Sequence, residues 1–121
     1  MPAACSAAHA VTVQKWTGAP QDWTWGSNGR CRLQVTSITQ SSTGQPIQVK
    51  VVNLSTVRVK YLFYVDTERW VGNERAFNSF SFAIASAQPG ATSVGSTQPW
   101  TGFSLTGAKV RLTMGYCDVV N

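Results

Sequence analysis

Charge is what this sequence has least of. Only 12% of its 121 residues are Asp, Glu, Lys or Arg, about half the share usual in soluble domains. A helical protein covers its surface with Glu and Lys, so the deficit argues against one. No stretch approaches the roughly 20 apolar residues of a membrane-spanning helix, and no membrane partner is expected. Histidine is nearly absent: His9 is the single one, and no Ser, His and acid set is indicated around it. Three cysteines, Cys5, Cys31 and Cys117, stand far apart, without the spacing of a zinc site. No glycine-rich phosphate loop is present, because Gly26-Ser27-Asn28-Gly29 lies between two β-type segments and opens no helix. The first ten residues are Ala-rich but lack the basic start and apolar core of an intact signal peptide. They read either as the remnant of one or as the natural start of a protein not exported by that route. Asp66 and Glu68 share strand parity but fall where acids are usually solvated, and no acid–base pair is evident. The expectation is therefore a non-enzyme with no cofactor, no metal and no catalytic residue.

What is present is alternation. Side chains switch faces at every residue of a strand. From Val57 to Val65 one face is Val57, Val59, Tyr61, Phe63 and Val65, and the other is Arg58, Lys60, Leu62 and Tyr64. This is the longest β-type run and the best candidate for the middle of a sheet. Similar runs place Cys31, Leu33 and Val35 inward, then Ile47, Val49 and Val51, then Phe80, Phe82 and Ile84, then Val110, Leu112 and Met114. Shorter strands are expected over 10–16 and around Trp23-Thr24-Trp25. Turn residues separate these runs, and no stripe of 3.6-residue period appears. The segment 66–75 reads as a loop, and 91–104 resists placement. The chain is thus expected to be one all-β domain over residues 1–121, an antiparallel sheet or sandwich of about seven to eight strands with little or no helix. Cys31 and Cys117 both fall on strand-like segments and form the candidate disulfide.

Ten Lys and Arg stand against five Asp and Glu, a formal charge of +5, which favours anionic partners. Arg30, Arg32, Lys50, Arg58, Lys60, Lys109 and Arg111 take outward positions on four expected strands. The five acids, Asp22, Asp66, Glu68, Glu74 and Asp118, are expected in loops or at the terminus. If the four strands share a sheet, one face is positive and uncompensated. Like charges on adjacent strands cost stability, and a polyanion would offset that cost. Tyr64 on the same face could then stack on an unpaired base. If the strands divide between two sheets, the cations are dispersed and solvated.

Five tryptophans form a second constellation. Trp23, Trp25 and Trp70, beside Asp22, Asn28 and Asn73, have the composition of a carbohydrate-stacking surface on a secreted β-sandwich. The alternative is that most of the indoles close the ends of a β core.

One stretch, Gly29-Arg30-Cys31-Arg32-Leu33-Gln34-Val35-Thr36-Ser37-Ile38-Thr39-Gln40-Ser41-Ser42-Thr43-Gly44-Gln45-Pro46-Ile47-Gln48-Val49-Lys50-Val51, resembles the central hairpin of single-stranded RNA bacteriophage coat proteins. The resemblance covers about a fifth of the chain. It implies a self-assembling coat or capsid subunit located in the virion, partnered by its own copies and by nucleic acid, with Arg30, Arg32, Lys50, Arg58 and Lys60 facing RNA. That family ends in helices that cover the sheet and interlock a dimer, whereas residues 100–121 here read as strand. A coat subunit is the leading expectation from the sequence, and the secreted carbohydrate-binding module is the alternative.

Overall fold

A computed structural model describes residues 12–25, 30–71, 73–97 and 103–120. Among them the chain forms eight strands and no helix: β1 (Thr12–Lys15), β2 (Gln21–Trp25), β3 (Cys31–Gln40), β4 (Ile47–Asn53), β5 (Val59–Val71), β6 (Glu74–Ala87), β7 (Thr92–Ser96) and β8 (Lys109–Val119). They divide into two four-stranded sheets. Sheet A runs β1-β8-β5-β6 and sheet B runs β2-β3-β4-β7, with every neighbouring pair antiparallel.

The core lies between the two sheets and is built from the alternating positions. Leu33 and Val35 of β3 and Ile47, Val49 and Val51 of β4 are buried from one side. Val59, Tyr61, Phe63 and Val65 of β5 and Val110, Leu112 and Met114 of β8 are buried from the other. Each such side chain contributes about 1.5–3 kcal/mol through the apolar area it removes from water. Aromatic rings carry the contact across the gap. Trp23 of sheet B meets Phe63 of sheet A edge-on at 5.4 Å, and Phe63 stacks on Phe82 at 5.9 Å. Phe82 in turn lies over Gly95, where a side chain would begin only 2.6 Å from the ring.

Two further ties join the sheets. Cys31 of β3 and Cys117 of β8 form a disulfide with a Cα separation of 6.1 Å, spanning 86 residues of sequence. A loop of that length restrains the unfolded chain by about 4–5 kcal/mol in the chain-entropy account. At the end of β4, Asn53 is buried but fully engaged. Its amide nitrogen donates to the Val57 and Ala87 carbonyls at 3.0 and 2.9 Å, and its side-chain oxygen accepts from the Ser55 backbone N–H at 2.8 Å. Ser55 then pins this link to β3, its hydroxyl accepting from the Arg32 N–H at 2.7 Å and donating to the Arg32 carbonyl at 3.2 Å. Two buried polar atoms, Trp23 Nε1 and the Tyr61 hydroxyl, complete no hydrogen bond within the described residues.

The structure departs from expectation at the end of the central strand. β5 continues to Val71, and Val71 pairs with Glu74 of β6. The expected loop over 66–75 is thus the closed end of a long hairpin, and Asp66 and Glu68 are strand residues. The segment that resisted placement supplies β7, which edges sheet B.

Candidate functional site

The division into two sheets decides where each candidate residue points. Arg32 on β3 and Lys50 on β4 project from the outer face of sheet B. Lys60 and Tyr64 on β5 and Lys109 and Arg111 on β8 project from the outer face of sheet A, on the opposite side of the molecule. Arg30 is exposed just before β3, and Arg58 is half-buried just before β5. The seven cations therefore do not share a face. Consecutive hairpins keep β3 with β4, but the chain crosses to the other sheet between β4 and β5.

The acids are also differently placed from expectation. Asp22 lies on β2, Asp66 and Glu68 on β5, Glu74 begins β6 and Asp118 lies on β8. Across the β5–β8 ladder, Asp66 stands opposite Arg111, Glu68 opposite Lys109 and Lys60 opposite Asp118. Opposite charges in facing cross-strand positions stabilise a sheet. Three cations of sheet A thus face an acid on the neighbouring strand, while Lys15 of β1 faces Arg111.

The tryptophans separate as well. Trp23 is buried in the core at 3% exposure, so it cannot offer a stacking surface. Trp25 lies on β2, but its side chain is outside the described residues. Trp70 is on open display, at 61%. The three do not form the expected sugar-binding surface, because β2 faces its Trp23 inward while Trp70 lies far along the β5–β6 hairpin.

What the structure does assemble lies on the outer face of sheet A. Leu62 and Tyr64 of β5 lean over Gly115 of β8. A side chain added at Gly115 would come within 2.9 Å of the Tyr64 ring and 3.0 Å of Leu62. Tyr116 faces Leu62 across the ladder, and the small Ala83 of β6 flanks it on the other side. This apolar area gives way to a charged band. A groove of about 450 Å3 is lined by Lys15, Asp66, Glu68, Lys109 and Arg111, together with Arg75 and Phe77. Asp66 accepts a hydrogen bond from the Ser79 hydroxyl at 2.6 Å, and Glu68 pairs with Arg75 at 3.6 Å. Beyond the band, the Arg75 guanidinium lies 5.8 Å from the Trp70 ring centre and 5.1 Å from that of Phe77, a distance at which cation–π attraction operates. Of these residues the sequence singles out Tyr64, Trp70, Lys109 and Arg111 as candidates, whereas Lys15, Arg75, Phe77 and Tyr116 emerge only from the structure. Parity along a β5 strand extended to Val71 would have aligned Leu62, Tyr64, Asp66, Glu68 and Trp70.

No protein-family model matches the sequence, and no curated protein matches it. Among solved structures the fold is similar to that of the Salmonella enterica trimeric lipoprotein SadB. The TM-score is 0.53 and the identity 16%, over 95% of this chain and 67% of that one.

That likeness corrects the leading expectation. The fold is similar to that of a bacterial lipoprotein and not to that of a viral coat subunit, and nothing in that likeness supports a capsid, virion or RNA-binding role. The physical reason is visible in the layers. A coat-type sheet has one face left for helices to cover, whereas here sheet B covers sheet A from within the same chain. The hairpin that carries the resemblance, β3 and β4, forms the two central strands of sheet B.

Proposed function

We propose that this protein is a non-catalytic structural subunit that associates with copies of itself through sheet A. One observation carries the reading. Six large apolar side chains are strongly exposed among the described residues, and four of them, Tyr64, Trp70, Phe77 and Tyr116, share the outer face of sheet A. Scattered exposed apolar residues are normal, but grouped ones on one face mark an interaction surface. Tyrosine and tryptophan are also the residues most enriched where proteins meet. The groove beside them supports contact rather than chemistry, since both of its carboxylates are held by protein partners. The solved structure of similar fold is described as trimeric, which supports association of copies. The disulfide between Cys31 and Cys117 favours an oxidising compartment as its place of work.

Light scattering coupled to size exclusion tests the proposal. The wild-type chain is expected to have a mass above that of one copy. Tyr64→Ser combined with Tyr116→Ser should shift it toward the monomer by at least about tenfold in dissociation constant, as the loss of an interface anchor does. Val94→Ser, on the outer face of sheet B, should leave the mass unchanged. A wild-type monomer at high concentration would overturn the proposal.

A further inference from the structure

The four strand edges of this sandwich are not alike. β1 has 4 residues and carries Lys15; β2 and β7 have 5 residues each. Short edges and charged edges are poor templates for another strand. β6 is the exception. It has 14 residues and borders sheet A, and no described strand pairs with its outer side. Only Glu74 and Arg75, at its start, are charged. From Ala76 to Ala87 it contains no charged residue, no proline and no glycine. Long unprotected edges of this kind are normally paired or covered.

The hairpin shows which backbone groups are available. Val71 faces Glu74 across a two-residue link, and the residues flanking such a link exchange backbone hydrogen bonds. The same relation recurs at every second pair, so the even-numbered residues of β6 as far as Phe82 bond to β5. The Thr67 hydroxyl donates to the Asn78 carbonyl at 3.2 Å, which places that even-numbered carbonyl on the β5 side. The N–H and C=O groups of Phe77, Ser79, Ser81 and Ala83 therefore point to the open side. Ser79, Ser81 and Ala83 also have small, exposed side chains, which leave room for a neighbouring strand.

We infer that β6 pairs with β6 of a second copy, antiparallel across a two-fold axis, so that the two A sheets join into one. This rests on the self-association proposed above and adds to the aromatic outer face of sheet A a second contact at the edge that borders it. The antiparallel sense follows from charge. A parallel pair would set Glu74 against Glu74 and Arg75 against Arg75, whereas an antiparallel pair sets both toward the uncharged end of the partner strand. The occupant is a second β6 because the other described edge strands, of 4 and 5 residues, are too short to cover it. A two-fold contact is self-complementary and closes on itself.

Amide hydrogen exchange on the wild-type chain, followed residue by residue at concentrations below and above the association midpoint, tests the pairing. The Phe77, Ser79, Ser81 and Ala83 amides should slow by at least about tenfold on association, while those of Asn78, Phe80 and Phe82 keep their rates. Ser81→Pro removes an outward donor without removing a bond to β5, and should weaken association at least about tenfold. If that variant fails to fold, the wild-type exchange pattern still decides. Association with no slowing of the odd-numbered amides, or a particle of three copies, overturns the β6 pairing and leaves self-association standing. A chain that stays monomeric at every concentration overturns both.

Discussion

The two sheets bury the same things and expose different ones. Their inner faces are alike: β-branched and aromatic side chains at every second position, meeting between the sheets. Their outer faces are not. Sheet B presents Thr24, Arg32, Gln48, Lys50, Thr92 and Ser96, with Val94 as the one strongly exposed large apolar side chain among its described residues. Sheet A presents four exposed aromatic rings, a band of facing opposite charges and the longest open edge. Folding requires only that the inner faces match. The contrast outside is therefore where function is to be sought, and it points to sheet A.

Disruption of the shared interior should be costly whichever sheet it comes from. Replacing Cys31 and Cys117 together by Ala should remove about 4 kcal/mol of stability, read as a lower midpoint in urea under non-reducing conditions. Asn53→Ala should cost about 2–3 kcal/mol, because it strands two carbonyls and an N–H that the side chain now satisfies. A smaller pair of changes separates inside from outside directly. Gly95→Ala pushes a methyl group into the ring of Phe82 in the core and should cost about 1–3 kcal/mol. Gly115→Ala meets only the side chains of Tyr64 and Leu62, which can swing toward solvent, and should cost under about 1 kcal/mol. Equal losses at the two glycines would erase the distinction between the faces.

The smallest effect concerns Tyr61, whose phenol faces sheet B from the core of sheet A. Burial raises its pKa above the ordinary 10.0, and the neighbouring Ser93 side chain opposes part of that shift. The folded chain thus holds this proton to higher pH than the unfolded chain does. Its contribution is complete below pH 10.0 and is lost as pH rises through the raised value. Thermal unfolding of wild type and Tyr61→Phe, compared on either side of that pH, should show a steeper alkaline loss in the wild type. Parallel curves would remove Tyr61 from the account.

Much of the fold was legible because burial imposes a period of two. Leu33, Val35, Val49, Phe63, Leu112 and Met114 are all buried, as their alternation with polar neighbours requires. The hairpin between β5 and β6 was missed although Gly72-Asn73 is a two-residue hairpin signal. The acids clustered around it, Asp66, Glu68 and Glu74, read as loop residues because acids that follow a strand are usually solvated. Asp66 and Glu68 are strand residues that face Arg111 and Lys109 of β8, a relation that local sequence does not contain. The candidate surface suffered the same limit. Arg32 and Lys50 were rightly placed outward, and so were Lys60, Lys109 and Arg111. That these two groups back onto opposite sides depended on the crossing between β4 and β5.

The sequence by itself determined the class of structure and which side chain of each strand turns inward, because both follow from local alternation and from a shortage of helix-forming residues. Only the tertiary structure decided which strands share a sheet. It thereby decided that the cations are divided between two faces, that acids stand opposite Lys60, Lys109 and Arg111 of sheet A, that Cys31 meets Cys117, and that no described strand pairs with the outer side of β6. Those outcomes depend on strand order, which is set by how two apolar faces close on each other and not by any residue's own preference.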